Sequence, residues 1–186
     1  MKVFLILNTT SDSLAFCFLS DSVVTNTGKP FYIPESKGEC RVSLAVAIRI
    51  KRLGKGIKEK FASRYYSEFA PALHFFLPAY ADSLKAKGWP DDPARNFDKS
   101  LFVGDFKPFD VNLKLELKLK DSIVAYFDFN QINHSIENII EEISVLNTLK
   151  MGDIIVPGLS DSVPLKTGDI LEVFADGEKA FQVRVK

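Results

Sequence analysis

Residues 113–120 read Leu-Lys-Leu-Glu-Leu-Lys-Leu-Lys, a strict alternation of apolar and charged side chains. Successive side chains of a strand point to opposite faces, so this stretch fits a β-strand with leucines inward and one face in water. Residues 41–50 repeat the period of two: Val42, Leu44, Val46, Ile48 and Ile50 alternate with Arg41, Ser43, Ala45, Ala47 and Arg49. Asp121-Ser122 reads as a turn and residues 123–127 as a returning strand, which makes a hairpin. A second hairpin closes the chain. Residues 170–175 and 180–185 flank Asp176-Gly177, a pair that tolerates the positive φ angles of a tight turn. Met151-Gly152-Asp153 and Thr167-Gly168-Asp169 each precede an apolar strand, as turns. Helices are fewer. Ile136, Ile139, Ile140, Ile143 and Leu146 have helical spacing, with Asn133 or Ser135 as the cap. Residues 60–68 are a second helix candidate. Residues 86–99 hold Gly88, Pro90, Pro93 and three aspartates, and read as a long irregular loop. The fold class is mixed α/β, mainly β, with residues 1–186 as a single domain.

A chain of 186 residues can bury a sizeable core without a disulfide staple. Its 24 basic and 24 acidic residues cancel. That balance argues against nucleic-acid and anionic-membrane partners, which demand basic excess. Sixteen phenylalanines predict an aromatic-rich core. Cys17 and Cys40 lack the paired spacing of zinc sites and read as small buried hydrophobes. The apolar run from Val3 to Leu7 is too short for a signal-peptide core. No stretch approaches the ~18 apolar residues of a membrane span, so the expected location is the cytoplasm. The basic run over residues 49–60 lacks the aromatic interleaving that stacks bases and reads as a solvated loop. His74, within Leu73-His74-Phe75-Phe76, reads as a core residue, and His134 as part of a helix start. Glu35 and Glu39 are candidates for displaced metal ligands, and Asp82, Asp91 and Asp92 for turn formers. No phosphate loop, Ser-His-Asp set or nucleophile elbow is present.

One set of elements carries a resemblance. Asn96-Phe97-Asp98, Gly104, the strand at 113–119 and the helix from Ser135 come first. Leu149-Lys150-Met151-Gly152-Asp153-Ile154-Ile155, Gly158 and Leu165-Lys166-Thr167-Gly168-Asp169-Ile170-Leu171-Glu172-Val173 follow. In order and spacing they resemble the fumarylacetoacetate hydrolase family, which includes 2-hydroxyhepta-2,4-diene-1,7-dioate isomerase-like members. Lys29-Pro30 is similar to its Lys-Pro element, Ser43-Leu44-Ala45-Val46-Ala47-Ile48 to its ligand-bearing strand, and Asn8 to its early Asn. The resemblance implies a β-roll with a few short helices and a homodimer. It also implies cleavage or isomerisation of 1,3-dicarbonyl acids and related keto-acids, with Mg²⁺ or another divalent cation held by a Glu-x-Glu pair and an Asp.

This chain departs from the pattern at the cation. The two Glu positions fall at Arg41 and Ser43, and counting back from Phe97-Asp98 puts the Asp position at Pro78. None is a carboxylate, and a guanidinium cannot ligate a metal. The family's substrate-contacting Lys falls at Arg95, its Thr-Gly-Thr element at Pro157-Gly158-Leu159, and its lid His nearest to Asp12. The expectation is therefore a degenerate member with no metal cofactor. Lys29, Arg41 and Arg95 would then line a pocket for a small carboxylate. The alternative is a working hydrolase or isomerase of acylpyruvate-type or 2-hydroxy-dienoate keto-acids with relocated ligands.

Overall fold

A computed structural model describes residues 1–7, 13–26 and 28–186. Nine strands build the larger sheet: β1 (Val3–Ile6), β2 (Phe16–Leu19), β3 (Val24–Asn26), β4 (Arg41–Ile50), β5 (Tyr66–Phe76), β6 (Leu101–Val103), β7 (Lys107–Pro108), β10 (Ile154–Val156) and β11 (Val163–Pro164). The other sheet has β8 (Lys114–Leu119), β9 (Ser122–Asp128), β12 (Ile170–Ala175) and β13 (Glu178–Arg184). The α-helices among the described residues are α1 (Glu59–Ala62), α2 (Pro78–Lys85) and α3 (Ile136–Leu146).

The larger sheet runs β2-β1-β10-β4-β5-β6-β3, with β11 beside β4 and β7 beside β5. Its spine is the long antiparallel pair β4–β5. Both faces of β4 are buried. Val42, Leu44, Val46, Ile48 and Ile50 enter one core, while Ala45 and Ala47 enter a second. The second core also takes Leu19 from β2 and Val23 beside β3, at opposite ends of the strand order. One cluster can hold both edges only if the sheet curls around it. Ser20 N–H donates to Asn96 Oδ1 at 2.9 Å and ties the β2 end to the loop after α2. Alanines at 45, 47, 70 and 72, all fully buried, keep the inside of that curl narrow. The first core lies between the outer face of the roll, the four-stranded sheet and α3, and is aromatic-rich as expected. Phe31 stacks on Phe75 with centroids 3.8 Å apart, and Phe102 meets both edge-on.

Pro71 sits mid-strand in β5, where a missing N–H would ordinarily break a ladder. Its carbonyl accepts from Gly104 N–H at 2.9 Å, on the side where the chain leaves β6. Gly104 is itself required there: a Cβ would lie 3.0 Å from the Phe181 ring and 3.2 Å from the Pro71 oxygen.

Several local expectations are corrected. The first hairpin turns on Lys120-Asp121, both at positive φ, one residue before the expected pair. The second helix shrinks to α1, and Tyr66 begins β5, because Tyr66 pairs with Ile50 and meets Phe109 edge-on. α2 was not anticipated, since only Ala81 and Leu84 of its eight residues are buried. Ser135 does cap α3, accepting from Asn138 N–H at 3.0 Å. Among the described residues, no helix is long and apolar enough to cross a membrane.

Candidate functional site

Directly opposed residues of an antiparallel pair project to the same face. Along β4 and β5, Arg41 faces Phe76, Ser43 faces His74 and Ala45 faces Ala72. β6 extends the rows, with Leu101 beside His74 and Val103 beside Ala72. The alanine row belongs to the inside of the roll, so Ser43 and His74 stand at the inner wall one row from its end. Pro78 does not join them. It is the first residue of α2, beyond the end of β5, and the position facing Ser43 is His74, four residues earlier. Counting back across a loop cannot see this register; strand pairing fixes it.

Arg41 is tied down locally. Its Nε donates to Ser162 Oγ at 2.9 Å, one terminal nitrogen donates to the Ser162 carbonyl at 2.6 Å, and the other to Glu39 Oε1 at 2.9 Å. The partner segment is held against β4 in turn, with Ser160 N–H donating to the Leu44 carbonyl and Leu44 N–H to Ser160 Oγ. Leu159, from Pro157-Gly158-Leu159, bridges to Ala45 and packs into the second core. Glu39 is therefore an ion-pair partner of Arg41, and Glu35 lies exposed in a 3-10 turn.

Arg95 follows the 3-10 turn Asp92–Ala94, which fully buried Ala94 anchors. Its carbonyl accepts from the hydroxyl of buried Ser100 at 2.9 Å. Its guanidinium lies 4.6 Å from the Phe76 ring centroid and donates to Asp91 Oδ2 at 2.8 Å. Lys85 meets the same carboxylate at 3.2 Å. The hydrogen bond from Arg95 and the charge of Lys85 hold the Asp91 carboxyl below its ordinary range. The positive charge of Arg95 also acts on His74 of β5 and Cys17 of β2.

His74 is 1% exposed, and its Nε2 has no partner. Burial, reinforced by the Arg95 charge, pushes its pKa down to about 4, against a partial opposing effect of a hydrogen bond to the Arg95 backbone. The imidazole is neutral at pH 7. Burial also raises the Cys17 thiol to about 11 and Cys40 to about 12, so neither is a ready thiolate.

Lys29 stands apart. It lines a cavity of about 310 Å³ with Gly28, Pro30, Gln182, Arg184 and Lys186, a wall that includes neither Arg41 nor Arg95. The proposed trio of cations thus does not converge on one cavity. Asn8 and Asp12 lie outside the described residues.

A hard divalent cation needs several oxygen ligands, preferably charged. The ligand-bearing rows supply a guanidinium already bonded to Ser162 and Glu39, one neutral hydroxyl and one imidazole. Among the described residues, no group of three or more His, Cys, Asp or Glu could hold a metal ion. These donors do not fit Mg²⁺ or Mn²⁺.

The family model for fumarylacetoacetate (FAA) hydrolase, C-terminal, matches residues 8–186, and the chain belongs to that family. Oxaloacetate tautomerase FAHD1, mitochondrial, from Bos taurus is 27% identical over 165 residues, covering 86% of this chain and 75% of the relative. Fumarylpyruvate hydrolase from Pseudomonas aeruginosa, solved with Mn²⁺ and pyruvate, superposes with a TM-score of 0.89 at 16% identity, covering 100% of this chain and 89% of that one. The 2-hydroxyhepta-2,4-diene-1,7-dioate isomerase from Mycobacterium marinum gives 0.86 at 20% identity, covering 99% and 73%. The β-roll is the fold of these proteins.

Proposed function

We propose that this chain is a family member that works without a divalent cation, does not hydrolyse or isomerise acylpyruvate-type substrates, and binds a small carboxylate. One observation supports the reading most strongly: the paired rows of β4 and β5 present Arg41, Ser43 and His74 in place of converging carboxylates. The fixed guanidinium of Arg41 repels a cation, and a buried neutral imidazole is a poor ligand for a hard one. The carboxylate class comes from the relatives, whose names specify oxaloacetate, fumarylpyruvate and a heptadienedioate.

Elemental analysis after dialysis tests the reading. The expected result is far less than one Mg²⁺, Mn²⁺ or Ca²⁺ per chain, and about one bound ion per chain would overturn it. A metal-dependent rate on an acylpyruvate in a spectrophotometric assay would do the same. A homodimer belongs to the same proposal. Exposed Leu53, Leu146 and Met151 surround the Gly54–Leu149 bridge and offer apolar surface for a partner. Light scattering at micromolar concentration checks it, with a monomer as the contrary result.

A further inference from the structure

Among the described residues, the buried side-chain nitrogens without any hydrogen-bond partner are His74 Nε2 and Arg95 Nε. Folded proteins leave few such atoms, and each calls for a cause, such as a ligand that supplies the missing partner. Both occur in one neighbourhood. The Arg95 backbone and charge both act on the imidazole, and the Arg95 guanidinium lies on Phe76, two residues along β5 from His74. The Ser43 hydroxyl, opposite His74, makes no hydrogen bond among the described residues either.

The three groups have a definite donor pattern. Arg95 Nε–H can only donate, and the Ser43 hydroxyl is free to donate. A neutral imidazole carries one N–H. Where that N–H is given to the Arg95 carbonyl, Nε2 offers a lone pair and accepts. The site therefore asks for an acceptor group next to a donor. Charge narrows the choice. Arg95 and Lys85 share Asp91, with exposed Asp92 nearby, so the neighbourhood has no cationic excess for a phosphate dianion.

We propose that Ser43, His74 and Arg95 form a metal-free site for a saturated 2-hydroxy carboxylate such as glycolate. Its carboxylate accepts from Arg95 Nε–H and Ser43 O–H, and its 2-hydroxyl donates to His74 Nε2. This rests on the metal-free reading above. Hydrogen bonds to protein groups replace the cation, and no covalent step is involved.

Histidine-selective ¹⁵N labelling tests it, because the chain has only two histidines, His74 and His134. The labelled protein is titrated in EDTA with glycolate, acetate and pyruvate. Glycolate should shift the His74 Nε2 resonance saturably, with affinity about tenfold tighter than acetate or pyruvate, for one added hydrogen bond. Arg95→Lys and Ser43→Ala should each weaken glycolate by about three- to tenfold while leaving the histidine spectrum of the free protein folded. Acetate binding as tightly as glycolate would overturn the hydroxyl contact to His74. If glycolate leaves His74 unperturbed up to tens of millimolar, with or without Mn²⁺, the inference fails and the metal-free reading stands. If glycolate binds only when Mn²⁺ is added, the metal-free reading fails as well.

Discussion

Two buried polar regions of this molecule treat their charges in opposite ways. At the Gly152-Asp153 turn, Asp153 is 1% exposed yet fully satisfied. It accepts from Lys2 N–H and Lys150 N–H, each at 2.8 Å, and pairs with Lys2 Nζ at 2.7 Å. These bonds fasten the first strand to the loop that launches β10, its parallel neighbour. At the mouth of the roll, His74 is as deeply buried and has an orphaned nitrogen. A satisfied buried group stabilises the fold, and an unsatisfied one costs stability until something binds. The first region is architecture, and the second is a place kept for a ligand.

Substitutions should separate them. Asp153→Ala removes two hydrogen bonds and an ion pair together, and should cost about 3–4 kcal/mol in urea unfolding. A cost below about 1 kcal/mol would break the contrast. Next comes pH. The folded pKa of His74, about 4, lies below its ordinary value of 6.5, so the unfolded chain takes up the proton first as pH falls. The stability contributed by keeping His74 neutral is complete above pH ~6.5 and is lost as pH drops toward 4, by up to about 3 kcal/mol. His74→Leu should flatten that part of the pH profile, and an unchanged profile would remove His74 as its source. The second turn gives a smaller effect. Asp169 accepts from Lys166 N–H at 2.8 Å, with Lys120 3.6 Å away, so Asp169→Ala should cost about 1–2 kcal/mol. Smallest is His74→Leu at pH 7, which removes an unpaired buried atom and should leave stability within about 1 kcal/mol of the parent.

The sequence carried the regular parts of this fold legibly. Period-two patterning marks β4 and β8, and helical spacing with a serine cap marks α3. The two Gly-Asp turns were visible too, with Gly152 and Gly168 at positive φ, although the buried carboxylates that clasp them were not. Short strands were harder. β6 and β10 are three residues each and carry no period to count. β5 is eleven residues long but mixes Pro71, two alanines and His74, because both faces of its central part are buried.

At the site, Arg41, Ser43 and Arg95 were singled out only through the family resemblance, which sets them at its ligand and substrate positions. His74 was read only as a core residue, because its role depends on the β4–β5 register, which no count along the chain supplies. Lys29 had been grouped with the arginines through the family's Lys-Pro element. Lys29 is carried to the β13 end of the molecule, against Gln182 and Arg184.

On the proposed reading, the rows of β4 and β5 form a cation-free site. Mn²⁺ titration calorimetry on the parent and on Arg41→Glu/Ser43→Glu/His74→Asp tests it most directly. These three positions share one face, so three carboxylates there should converge on one ion. The parent should bind no Mn²⁺, and the folded triple variant should bind it at millimolar concentration or tighter. Putting the third change at Pro78 in place of His74 should not restore it. Mn²⁺ binding by the parent, or a folded Arg41→Glu/Ser43→Glu/His74→Asp chain that takes up no Mn²⁺, would contradict the account.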